Sequence, residues 1–130
     1  MVNKILLPQE VETFYIIPSL RKHFSIYMKG LGMKQKDIAE LLMVNTAAIS
    51  QYQSEKRGNQ VTFTPEIKDE IKISAHKIKD TITYMQETQR ILRLIRTSKF
   101  LCQIHKQFSA VPEACNPEIV GCTESLARCN

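Results

Sequence analysis

The chain has 130 residues, 43% of them hydrophobic and 24% charged, with a formal net charge of +5. That composition excludes a largely disordered chain, and the length suits one compact unit with an appendage. The basic excess suits a polyanionic partner, because lysine and arginine that neutralise phosphates release condensed counterions. The opening stretch MVNKILLPQEVE has an apolar run of only three residues, too short for the core of a secretion signal. No segment reaches the ~18 apolar residues of a membrane span. A cytoplasmic location is expected, with neither a membrane nor a small-molecule substrate as partner.

Apolar residues recur at helical spacing from Glu10 to Lys29, through Val11, Phe14, Tyr15, Ile17, Leu20, Phe24, Tyr27 and Met28. They predict one long helix, bent at Pro18 and closed by Gly30 and Gly32. A second helix is predicted over Gln35 to Leu42 and a third over Thr46 to Ser54, joined by the short link Met43-Val44-Asn45. Val61-Thr62-Phe63 reads as a short extended piece. Thr64-Pro65-Glu66 then supplies a cap, a first-turn proline and an acidic first turn to a helix whose face is Ile67, Ile71, Ala75 and Ile78. A last long helix is predicted from Thr81 to Phe108, carrying Ile82, Met85, Ile91, Leu92, Ile95 and Leu101. Beyond Ala110 the composition turns to proline, asparagine, glycine and cysteine, as in a loop-rich tail.

This order predicts an all-α fold in three parts: a DNA-binding helix-turn-helix domain over 1–64, a helical dimerisation region over 65–108 and a cysteine-containing tail over 109–130. Gln35 opens the first helix of the motif, and Ala39 is small where the two helices cross. Ile38, Leu42, Val44, Ile49 and Tyr52 hold them together. With Ile49 and Tyr52 inward, Thr46, Ala47, Ser50, Gln51 and Ser54 face out. Short side chains let a helix sink into the major groove, an amide can pair with adenine through N6 and N7, and the methyl groups of threonine or alanine can touch thymine. Gln35 and Asn45, with Ser54, Lys56 and Arg57 at the far end, are expected beside the readout residues or against phosphates. An ordinary helical hairpin in a bundle is the alternative.

The stretch LGMKQKDIAELLMVNTAAISQYQSEKRG resembles the lambda-repressor-like (XRE-type) helix-turn-helix family. Nearly the whole chain is similar to a group of predicted archaeal transcriptional regulators: a proline-containing first helix (Tyr15-Ile16-Ile17-Pro18), a motif ending in Ala48-Ile49-Ser50-Gln51-Tyr52, then Lys56-Arg57-Gly58. The C-terminal helix leading to Leu101-Cys102-Gln103-Ile104-His105 also matches. The resemblance implies a lambda-repressor-like bundle that binds double-stranded DNA. It departs at Met43, where the family pattern usually has glycine; a positive φ there costs a non-glycine residue about 1 kcal/mol, so the turn is either strained or differently shaped.

All four cysteines, Cys102, Cys115, Cys122 and Cys129, lie near the C-terminus with the spacing C-x12-C-x6-C-x6-C. No CxxC knuckle is present, so the pattern is not that of a standard zinc finger. On a continuous helix, seven-residue steps would part the sulfurs by ~10 Å, but Pro117 and Gly121 break any such helix. Four thiolates are the usual ligands of an iron–sulfur cluster, with [4Fe–4S] favoured over [2Fe–2S]. Zinc, with His105 as an alternative ligand, and unligated or disulfide-bonded cysteines remain open. The resembling family often carries cysteines and a Cys-x-x-His here, which implies metal binding without naming the metal. Between Thr88 and Pro112 there are Arg90, Arg93, Arg96, Lys99 and Lys106 and no acid; such charge is expected to lower thiol pKa values and offset a cluster.

His23 and His76 read as solvated or capping residues, and the arginine series as either a second DNA-backbone contact or a solvated face. The apolar residues of the first and last helices exceed what one small core needs, which predicts a homodimer with recognition helices ~34 Å apart. An enzyme is disfavoured, since no phosphate-binding glycine loop, HExxH or Gly-x-Ser-x-Gly occurs. The expected function is transcription regulation gated by a redox- or iron-sensing cluster; the alternative is a cluster-free repressor or antitoxin-like protein controlled by a protein partner, or one with a structural zinc.

Overall fold

The computed structural model describes residues 4–122, and the described chain is all-helical. The first helical rod starts at Pro8, which is suited to a first turn because it has no N–H to leave unbonded, and Glu10 Oε1 accepts the Leu7 N–H at 2.9 Å. Helix α1 (Pro8–Val11) runs into a π-helical turn at Glu12–Ile16 and then into α2 (Ile17–Gly30). In that turn the Ile17 N–H reaches back to the Glu12 carbonyl. The wider turn relieves the approach of Pro18 to the preceding carbonyls, so the irregularity before the proline is a π turn at Glu12–Ile16. Gly32 ends the rod with φ +90°, and Met33 N–H closes onto Met28 O at 3.1 Å.

Two short helices follow, α3 (Gln35–Leu42) and α4 (Thr46–Gln53), with the limits read from sequence except for one residue at the end. Met43 takes the left-handed conformation at φ 58°, ψ 41°, while Val44 N–H bonds to Ala39 O at 3.1 Å. The turn therefore has the shape glycine usually provides, imposed here on a residue with a Cβ. Helix α5 (Pro65–Lys77) begins as expected, with Thr64 Oγ1 accepting from the Ile67 N–H at 3.3 Å, and buries Ile67, Ile71 and Ala75, with Ile78 just past its end.

The single helix expected from Thr81 to Phe108 is instead two, α6 (Thr81–Thr97) and α7 (Phe100–Phe108), parted at Ser98 and Lys99, where Lys99 has φ +63°. Burial explains the break, for Ile91, Leu92 and Ile95 already face the core from α6 and the turn lets Leu101 and Ile104 reach it from α7. Of the face predicted for this segment, Ile82 and Met85 are exposed (62% and 57%) and Tyr84 is buried instead. A last helical turn, α8 (Pro117–Val120), begins at Pro117 and ends at Gly121 with φ +91°.

Helix α2 is the hub: α4 and α5 pack on it, α3 touches it, α6 joins α5 and α3, and α7 returns to α1. Buried side chains from Leu6 to Ile104 form one continuous core, including Val61 and Phe63 of the irregular link after α4. Most of the apolar residues that predicted a dimer face lie in that core, among them Val11, Leu20, Phe24 and Met28, while Phe14 stays exposed (58%).

Two charged links tie distant segments. Arg90 donates to Glu70 Oε2 (2.6 Å), Glu87 Oε1 (3.1 Å) and Ser74 Oγ (2.7 Å), fastening α6 to α5. Arg96 donates to Glu12 Oε1 at 2.8 Å with the glutamate side chain buried and the arginine partly buried, and Glu12 Oε2 has no hydrogen-bond partner. Two of the three arginines read as a DNA-facing or solvated series thus serve internal contacts, and only Arg93 is exposed. No helix of the described residues is long and apolar enough to cross a membrane.

Candidate nucleic-acid interface and thiol cavity

Helix α4 separates cleanly into two faces. Ala48, Ile49 and Tyr52 are buried against α2 and α3, whereas Thr46, Ala47, Ser50, Gln51 and Ser54 are exposed on one convex side. Asn45 caps the helix, its Oδ1 accepting from the Ala48 N–H at 2.8 Å, so its carbonyl oxygen serves the fold while the residue remains at the surface. The beginning of α3 and the end of α4 are joined by an amide pair, Gln35 Nε2 donating to Gln53 Oε1 at 2.9 Å. Gln53 in turn reaches the Ser25 carbonyl at 3.5 Å, a positioning role that the sequence reading did not give it.

After α4 the chain turns sharply. Glu55 is left-handed (φ +62°), and Lys56 N–H bonds back to Gln51 O at 2.9 Å. This turn sets Lys56 and Arg57 beside the exposed face of α4. The Arg57 guanidinium stands 5.6 Å from the Tyr52 ring centroid, and its Nη1 donates to Gln51 Oε1 at 3.5 Å. Gly58, at φ +76°, is pressed against α2: a Cβ there would lie 2.7 Å from Pro18 O and 2.9 Å from Lys22 Cβ. The Lys56-Arg57 arm is thereby pinned to the rod. All nine residues read as DNA-contacting lie on α3, α4 or the turns flanking α4, and all are exposed.

The cysteines occupy a different place. Cys102, Cys115 and Cys122 line one cavity of about 180 Å³ together with His105, Lys99 and Lys106. A second cavity of about 300 Å³ adjoins it, sharing Pro8, Leu101 and Cys122 and bordered by Glu12 and Arg96. Pro117 and Gly121, read as interruptions, begin and end the short α8, and this turn brings Cys122 back toward Cys115. Cys129 lies outside the described residues. The three thiols are free, and no three cysteine, histidine or carboxylate side chains among the described residues are placed to hold a single metal ion.

Burial pushes the Cys122 thiol above its ordinary range; the neighbouring Cys102 and Cys115 act in the same direction and Arg96 against it. The lowering expected from the basic segment is therefore reversed at Cys122, because desolvation of a thiolate outweighs one nearby guanidinium. His23 also departs from its sequence reading: it packs edge-on to Phe63 with ring centroids 5.2 Å apart, and burial, with Lys22 and Lys68, lowers its pKa to about 4. His76 is exposed in the last turn of α5, as expected.

Comparison with family models, with curated proteins and with solved structures gave no match. A helix with a polar convex face of short side chains, one amide at its centre and cations at its end can enter a groove and contact base edges and phosphates.

Proposed function

We propose that the chain is a sequence-specific transcription regulator that binds double-stranded DNA through a lambda-repressor-like helix-turn-helix formed by α3 and α4. The observation that carries this reading is the division of α4, with Ile49 and Tyr52 at the core and Thr46, Ala47, Ser50, Gln51 and Ser54 outward. Gln51 and Ser50 read bases, Thr46 and Ala47 offer methyl groups to thymine, and Gln35, Lys56 and Arg57 meet phosphates. Such a protein works as a homodimer on a two-fold operator. Selection of bound duplexes from a random-sequence pool, read at two salt concentrations, tests it. Enrichment of a two-fold site is expected, and recovery of an unenriched pool rejects sequence-specific binding.

The regulatory input in this reading is an iron–sulfur cluster, [4Fe–4S] rather than [2Fe–2S], held at the thiol cavity. Three thiols lining one cavity, with Lys99 and Lys106 in the same lining to balance negative charge, are a donor set suited to such a group. Bound there, the cluster supplies one-electron redox chemistry or sensitivity to iron supply. The protein's own part is to carry the change to α4. The N-terminal segment is clasped to the cavity: Leu6 N–H donates to Ser109 Oγ at 2.8 Å, Ala110 N–H to Lys4 O at 2.9 Å, and the same segment continues into α1, the π turn and α2. Helix α2 in turn carries α4 and the Gly58 contact. A change at the cavity thereby has a continuous packed path to the recognition face.

A further inference from the structure

His105 makes one contact that fixes its chemistry. Its Nε2 stands 2.6 Å from the carbonyl oxygen of Leu6. A carbonyl only accepts, so Nε2 carries the hydrogen of that bond and Nδ1 is the ring nitrogen left with a lone pair. Metal-bound histidines are held in this way, the second ring nitrogen donating to a backbone carbonyl that sets both tautomer and orientation. His105 follows Cys102 by three residues on α7, placing the two on one side of the helix, and both line the cavity with Cys115 and Cys122. Ser109, one turn further on, accepts the Leu6 N–H at 2.8 Å, so the carbonyl that orients the imidazole is itself held in place.

We propose that His105, through Nδ1, is the fourth ligand at this cavity, beside Cys102, Cys115 and Cys122, and that Cys129 is dispensable for cofactor binding. The inference rests on the cluster-binding reading above and replaces its four-cysteine ligand set with three thiolates and one imidazole. A ligand whose other nitrogen is bonded to Leu6 also joins the cofactor directly to the N-terminal segment. Loss of the cofactor removes the restraint at Nδ1 and leaves the ring held by its bond to the Leu6 carbonyl, so the clasp on the N-terminal segment loosens.

The full chain is reconstituted without oxygen using ferrous iron and sulfide, as wild type, Cys129→Ser, His105→Ala and His105→Cys. Iron and sulfide per chain and visible absorbance are measured, and pulsed electron paramagnetic resonance of the reduced protein is used to detect directly bound nitrogen. Cys129→Ser is expected to match the wild type. His105→Ala is expected to lose most of its iron while keeping wild-type helical circular dichroism, and His105→Cys to retain iron but lose the nitrogen coupling seen in the wild type. Iron loss in Cys129→Ser, or an unchanged nitrogen signal or none at all in the wild-type and His105→Cys pair, overturns the assignment of His105 even if His105→Ala fails to fold. A wild-type chain that takes up neither iron nor sulfide overturns the cluster reading itself.

Discussion

Arg57 donates from Nη1 to Gln51 Oε1 at 3.5 Å, so the amide proposed to read a base is tethered by the arginine proposed to meet a phosphate. Arginine only donates, so the contact turns the amide oxygen toward the arm and leaves the Nε2 hydrogens facing outward, toward acceptors such as guanine O6 and N7. Adenine, which needs both amide ends, requires the tether to open. Gln51→Ala is expected to cost about 1–3 kcal/mol on the selected operator and little on random DNA. Arg57→Ala is expected to weaken binding to both, to flatten the salt dependence by about one unit of slope, and to shift base preference under Gln51 toward adenine. Fluorescence anisotropy titrations on operators differing at that one base pair separate the two effects. Equal losses for both variants on random DNA would remove Gln51 from the recognition face.

Met43 occupies a left-handed turn position with its side chain 68% exposed. Met43→Gly removes the conformational penalty and almost no packing, so it is expected to stabilise the protein by about 1 kcal/mol. For a chain of this size that is a rise of roughly 3–6 °C in thermal midpoint, measured by circular dichroism.

Gly58→Ala has the opposite sign. A Cβ at 2.7 Å from Pro18 O forces the backbone apart at a position whose φ of +76° already disfavours any side chain. A loss of about 2–3 kcal/mol in urea unfolding is expected. DNA affinity should fall as well in the fraction that remains folded, because the Lys56-Arg57 arm loses its anchor on α2. Unchanged stability would mean the arm does not pack against Pro18.

Removing Arg96 strands a carboxylate that is only 4% exposed. Arg96→Ala is expected to destabilise by about 3–5 kcal/mol, whereas Glu12→Leu with Arg96→Met, which removes both charges, should lie near the wild type. Denaturant melts of wild type, Glu12→Leu, Arg96→Met and the double variant, assembled as a double-mutant cycle, give the coupling directly.

Acid should destabilise the fold through His23. Its pKa is about 4 when folded against an ordinary 6.5, because burial and the nearby Lys22 and Lys68 oppose the charged form. Between those two values the unfolded chain binds the extra proton, so stability falls as pH drops from about 6.5 toward 4 and levels off below, by at most about 3 kcal/mol. His23→Gln is expected to flatten that part of the stability-against-pH curve, and an unchanged slope would assign it to other groups.

Helical periodicity and local caps made most of the fold legible. The limits of α3 and α4, the cap at Thr64 and the inward Ile49 and Tyr52 all rest on interactions between residues at most four apart, and the sequence shows those directly. Glycine marked the turns at Gly32 and Gly121. The left-handed residues Met43, Glu55 and Lys99 carry no such mark, since the chain is held in these turns by what the next helix buries, and the split at Ser98-Lys99 was therefore invisible. The Glu12–Arg96 pair spans 84 positions; Arg96 reads from sequence as a DNA-backbone contact or part of a solvated face, and nothing local to Glu12 marks it as its partner. In the candidate DNA interface, exposure followed from periodicity, but the Gln35–Gln53 and Gln51–Arg57 links did not, because they depend on how two helices cross. The spacing of the cysteines showed that a loop had to bring them together, without showing that His105 and Leu6 would share the cavity.

The π turn at Glu12–Ile16 is in effect an α-helix holding one surplus residue. Everything before it is rotated by roughly 100° and advanced by about 1.5 Å relative to an uninterrupted helix. That single residue decides which side of the rod Pro8 and Leu6 present, and so whether the N-terminal segment lies over the thiols or away from them. A chain lacking it would keep α2, α3 and α4 intact and still misalign the wall of the cavity. The length of this short stretch, more than the identity of its residues, is what holds the two ends of the molecule in phase.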